Sequence, residues 1–155
     1  MMLGTLCAVM AALSSAPAEA SAQPVHFSVW AIQAVKTGKA DKQFDSAAQN
    51  VRKAIEDLPY DTFRGVFTGS AVVPPGAETR LSLNEAYTLV IQCRSRDSKD
   101  SAHVDLCVEL PPAKPGEAPR KAIQTCINVC AGKKVRIGGL KMKEGEMVVV
   151  LEMTG

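Results

Sequence analysis

The side chains of this chain with the most chemistry in them are thiols. Cys93, Cys107, Cys126 and Cys130 share one stretch, with His103 between the first two. Such a set supports three chemistries: a disulfide, a metal site that recruits the imidazole, or a nucleophilic or redox pair. Side chains alternate along a strand, so parity assigns faces. Val104, Leu106, Val108 and Leu110 share the inward face of one segment, which puts His103, Asp105, Cys107 and Glu109 on the other. Ile123, Thr125, Ile127 and Val129 line the next segment, which puts Cys126, Asn128 and Cys130 opposite them. If the two segments are antiparallel neighbours, a register with Leu110 facing Ile123 sets Cys107 opposite Cys126 and His103 opposite Cys130. Cys107–Cys126 is then the candidate cross-strand disulfide. Registers shifted by two residues satisfy the same parity.

The other two chemistries fit less well. A single zinc ion needs its ligands about 2.3 Å away. Residues four apart on a strand are about 13 Å apart, so one ion cannot collect His103, Cys107, Cys126 and Cys130 from two strands. Cys126-x-x-x-Cys130 lacks the C-x-x-C spacing and the helix N-terminus that activate redox thiols. Cys93 falls with Tyr87, Leu89 and Ile91 and reads as a small buried hydrophobe. No G-x-S-x-G elbow and no phosphate-binding glycine loop is present, and Gly132-Lys133-Lys134 lacks the upstream glycine of a P-loop. His26 reads as a surface residue at a strand start. Trp30 and Tyr60 read as core anchors flanking a helix. No catalytic residue, metal or cofactor is assigned.

The elements that must position these residues are mostly strands. Val25 to Ile32 alternates and is rich in strand formers. Phe44, Ala48, Val51, Ile55 and Leu58 form one stripe at helical spacing, which predicts an amphipathic helix over about 44–58, capped by Asp41 or Asp45 and stopped by Pro59. Further strands are predicted over Thr62–Val73, Thr79–Leu83, the run through Tyr87 and Cys93, the two thiol-bearing segments, Lys133–Ile137 and Met147–Met153. Arg94–Ser101 reads as a charged loop, and Gly138-Gly139 as a break. The pattern predicts a mainly β fold, a β-sandwich or partly open barrel with one helix near its start, with α+β as the alternative. The last strand has Val148, Val149 and Val150 in succession and is apolar on both faces. It must be central in a sheet or covered by a partner.

Met1 to Ala22 reads as an export signal. Its apolar stretch is too short to span a bilayer, and Ala20-Ser21-Ala22 fits an A-x-A cleavage site, although no Lys or Arg precedes Leu3. The segment also holds the fifth cysteine, Cys7. Residues 23–155 are expected to form a single domain. The net charge is +2, or +3 once Glu19 leaves with the signal, too mild to imply nucleic acid. The basic residues are spread along the chain and read as a mixed, solvated surface. No later segment is long and apolar enough for an integral membrane span.

Gly132-Lys-Lys-Val-Arg-Ile-Gly-Gly-Leu140, followed by a turn and the strand Met147–Met153, resembles a motif near the end of bacterial secretin domains. More broadly, Gly38-Lys39-Ala40-Asp41, then Tyr60-Asp61-Thr62-Phe63-Arg64, then Gly138-Gly139 occur in an order similar to that in a group of small, uncharacterised bacterial exported proteins. The resemblance implies an envelope location and a secretin-like β tail. It implies no active site, and the chain is too short to supply a secretin pore.

The expectation is therefore a non-enzymatic periplasmic or secreted interaction domain, associated with envelope or secretion machinery, that meets a protein partner or itself at a sheet edge. The alternatives are a thiol- or metal-dependent enzyme on the Cys107/Cys126/Cys130/His103 face, and a small-ligand binder in a barrel mouth lined by Trp30 or Tyr87.

Overall fold

The computed structural model describes residues 23–155; the predicted export segment lies outside them. Among the described residues nine strands, β1 (Val25–Val35), β2 (Gln43–Phe44), β3 (Thr62–Val73), β4 (Glu78–Ser82), β5 (Thr88–Ser98), β6 (Ser101–Leu110), β7 (Arg120–Cys130), β8 (Lys134–Lys141) and β9 (Glu146–Met153), form two sheets. The first has the order β2-β3-β1-β9-β8 and the second β4-β5-β6-β7. All pairings are antiparallel except the two-residue contact of β2 with β3. Neither sheet closes on itself or on the other, so the mainly β prediction holds in its sandwich form.

The main core lies between the sheets. Val25, Phe27 and Val29 of β1, Met147, Val149 and Leu151 of β9, and Leu89, Ile91, Leu106 and Val108 of the second sheet are buried there. A smaller cluster lies on the outside of the first sheet, where Ile32, Phe63, Val148 and Val150 meet Ala48, Val51 and Ile55. β9 runs between β1 and β8 and is covered on both faces. Its three consecutive valines need no partner chain: Val149 enters the main core, while Val148 and Val150 enter the smaller one. Trp30 and Tyr60 pack at the margin of this second cluster, the anchoring role their positions suggested.

The predicted helix is replaced by two single turns, α1 (Ser46–Gln49) and α2 (Arg52–Ile55), separated by Asn50 and Val51. Phe44 belongs instead to β2 and stacks on Phe63, with centroids 4.8 Å apart. The apolar stripe is real, but Val51 leaves the helical region, with φ −121° and ψ 17°, and is buried at that break. Packing onto the sheet outweighs the continuity of the helical hydrogen bonds. Asp45 caps α1, accepting from Ala48 N at 2.9 Å, and also accepts from Gly65 N of β3 at 2.7 Å. Lys42 donates to Leu58 O at 2.7 Å and to Glu56 O, closing the far end.

The Gly38-Lys39 and Asp61-Thr62 motifs, far apart in sequence, meet in space. Asp61 accepts from the backbone N–H of Thr37, Gly38 and Lys39 at 2.9, 2.8 and 3.2 Å, and from the hydroxyls of Thr37 and Thr62 at 2.6 and 2.9 Å. These donors stabilise the ionised form and hold its carboxyl well below the usual range. At the same end of the sandwich the β8–β9 turn closes on β1. Gly145 has φ +71°, and a Cβ there would lie 2.0 Å from Ala34 O, so only glycine fits.

Candidate functional site

The thiols Cys107, Cys126 and Cys130 and His103 lie, as parity required, on the outer face of the four-stranded sheet. The register differs from the expected one. Leu110 faces Arg120 and Glu109 faces Lys121; a bulge then skips Ala122, and Val108 faces Ile123. Cys107 therefore faces Gln124, Asp105 faces Cys126, His103 faces Asn128 and Ser101 faces Cys130. The Cys107–Cys126 disulfide is thus not formed, and the cysteines among the described residues are all free. The inward pattern of Val104 to Leu110 is kept by this register too, since a two-residue shift leaves every side chain on its own face. The loop from Pro111 to Pro119, tied by Arg120 Nε to Pro111 O at 3.1 Å, selects between them.

The face that results is a set of ion pairs around thiols. Cys126 donates to Asp105 Oδ1 at 2.6 Å, and Arg94 donates to the other carboxylate oxygen. The Asp105 carboxylate pushes the Cys126 thiol up, while the thiol and Arg94 hold Asp105 down. Burial pushes Cys107 and Cys93 up. His103 pairs with Asp97 at 3.0 Å. Arg94, His103, Asp105, Cys126 and Asn128 line a shallow concavity of about 180 Å³. A nucleophilic cysteine needs its thiolate favoured by a cation, an imidazole or a helix N-terminus. Here the immediate neighbour of Cys126 is an anion, and the arrangement favours the inert thiol. Among the described residues no group of three or more His, Cys, Asp or Glu side chains is placed to hold a metal ion.

Tyr87, the second suggested ligand contact, lines a groove of about 490 Å³ between the two sheets with Val66, Leu83, Met142, Lys141 and Lys143. Its hydroxyl is committed to Lys141 O at 2.6 Å. Trp30 lies elsewhere, on the outside of the five-stranded sheet.

The edges differ more than the faces. β2 is two residues long, and the β3 edge beyond it is partly covered by Asp45 and by Thr79, which donates to Val72 O at 3.0 Å. β4 is short and carries Glu78 and Arg80. The predicted break at Gly138-Gly139 is a bulge inside β8: the strand continues to Lys141 with a register shift between Ile137 and Leu140, and Gly139 takes φ +88°. Bulges and charged side chains are the usual protection of an edge strand. β8 has both, with Arg136 tied to Asp57 at 2.6 Å and to Ala54 O at 2.9 Å. The predicted charged loop at Arg94 is also strand: β5 runs to Ser98 and turns directly into β6.

β7 has only the bulge at Ala122, at its start. It pairs with β6 on one side and with no strand on the other. From Ala122 to Cys130 it has no charge, no proline and no glycine. Ala122, Gln124, Cys126, Asn128 and Cys130 are exposed, and Ile123, Thr125 and Ile127 are half-buried. The sequence carried this signal in its uncharged run, but only the strand order makes that run an edge. The chain matches no family model, no curated protein and no solved structure.

Proposed function

We propose that this protein is a non-enzymatic interaction domain that takes an extended segment of a partner protein as an added strand on β7. The observation that carries the reading is the open outer edge of β7 over Ile123–Cys130, which has no charge, proline or glycine, whereas β2 and β4 are short, β8 is bulged and charged, and the β3 edge is interrupted by Gly69 and covered at Gly65 and Val72. An open edge offers a row of backbone donors and acceptors, and an incoming strand satisfies them at main-chain spacing. The half-buried Ile123 and Ile127 add apolar surface that such a strand covers. The export pattern of Met1–Ala22 supports action outside the cytoplasm, and the resemblance of Gly132–Leu140 to the secretin ending supports a partner in envelope or secretion machinery. The thiol face is the weaker alternative, because Asp105 stabilises the protonated form of Cys126.

Two proline substitutions test the reading. Neighbouring residues of a strand point their N–H groups toward opposite edges. Of Thr125→Pro and Cys126→Pro, one removes a bond to β6 and the other blocks only the open edge. With a photoreactive group at Gln124, the protein is expected to crosslink an extended segment of a partner in its own cells, and the folded proline variant to lose that crosslink. Full crosslinking by the folded variant would refute strand addition.

A further inference from the structure

The stretch from Arg120 to Lys143 contains no aspartate or glutamate. It contains seven basic residues. The chain's net charge is +2, so the remainder carries −5 against the +7 of this stretch. In sequence these residues look like part of a scattered set. In the fold they are gathered, because the stretch is β7, its turn, β8 and the following bend, and β7 and β8 are the terminal strands of the two sheets. Ala131 bridges to Met153 and Gly132 N donates to Met153 O at 3.1 Å, which brings β7 to the β8–β9 side of the sandwich. Together they form one lateral seam.

The charges have a definite arrangement on it. Arg120 and Lys121 stand at the start of β7, and Lys133 and Lys134 stand just beyond its end, with the uncharged run Ala122–Gly132 between them. Lys134 pairs with Glu152 at 3.0 Å and Arg136 with Asp57. Arg120, Lys121, Lys133, Lys141 and Lys143 form no ion pair among the described residues.

From this we infer that the segment β7 receives is acidic at both ends and uncharged in the middle; the inference rests on the strand-addition reading above. Opposite charges across an interface steer encounter and fix register, and like charges exclude wrong partners. A second copy of this chain would bring its own basic seam against this one, so the same charges disfavour self-pairing through β7. A nucleic acid fits less well. The stretch has no Phe, Tyr or Trp for a base to stack on, and its middle is neutral where a phosphate backbone needs a continuous positive track.

The probe is a fluorescent synthetic peptide with a centre of about nine alternating threonines and valines and two glutamates at each end. A counterpart carries lysines at its ends. The acid-ended peptide is expected to bind at least about tenfold more tightly, and to weaken by about tenfold or more as salt rises from about 50 to about 500 mM. The exposed pair Lys121→Glu and Lys133→Glu is expected to reverse the preference. Equal binding of the two peptides would overturn the charge inference and leave strand addition standing. Undiminished binding of the acid-ended peptide by the edge-blocking proline variant would instead overturn strand addition. Displacement of the peptide by a thymidine oligonucleotide of the same charge, at equal concentration, would show a general polyanion site and also overturn the inference.

Discussion

Asp61 shows how much one carboxylate can organise. It receives three backbone N–H groups and two hydroxyls, and so fixes the chain leaving β1 against the start of β3. Because the folded state favours its ionised form, its contribution is complete above the unfolded carboxylate value of about 3.9. It is lost as pH falls toward the depressed folded value. Asp61→Asn places an amide N–H₂ among donors. The variant is expected to be less stable than the natural protein at pH 7, with the gap narrowing as pH falls below about 4; urea midpoints across that range check it. Asp61 was visible in sequence only as part of a pattern, since nothing in it announces that residues 37 to 39 will turn their N–H groups toward it. The thiols were the reverse. Their face was readable from the period of two, but their partners were not, because each thiol's neighbour depends on register.

The elements were legible to the extent that their hydrophobic period was unambiguous. The strands around Leu89, Leu106 and Ile127 follow the alternation, and their inward residues are those found in the core. The stripe through Ala48, Val51 and Ile55 was also read correctly as buried, but a stripe reports which side faces the core, not whether the backbone between contacts is one continuous helix. Two four-residue turns have almost no intrinsic stability, so they exist by packing. Ile55→Ala is accordingly expected to cost about 2–5 kcal/mol, while Val72→Ala, on the exposed outside of β3, is expected to cost about 0.5 kcal/mol or less. Denaturant unfolding of the two variants measures the difference. At Gly138-Gly139 the expectation of a break rested on composition alone; pairing with β9 on both sides of the bulge carries the strand through.

For the whole molecule, a mainly β sandwich followed from many short alternating segments, but the strand order did not, because a pattern of faces is silent about which strands are neighbours. That order decides where contact can occur. The last strand, β9, read in sequence as either central in a sheet or covered by a partner, and it lies inside its sheet. β7 showed its uncharged run in sequence but nothing that marked it as an edge, and it lies at the margin of its own sheet. Hydrogen exchange is expected to separate them: amides of Val148 to Leu151 should be among the slowest in the protein, and alternate amides of Ala122–Cys130 among the fastest strand amides. Uniform protection along β7 in a monomer would contradict the strand order.

The bulge at Gly139 has a consequence for assembly. β7 and β8 lie on the same side, and both end their sheets. A molecule with one receptive margin terminates whatever it joins, whereas one with two can link one partner to the next and propagate. If β7 receives a strand as proposed, the bulge in β8 keeps this side of the sandwich to one such addition.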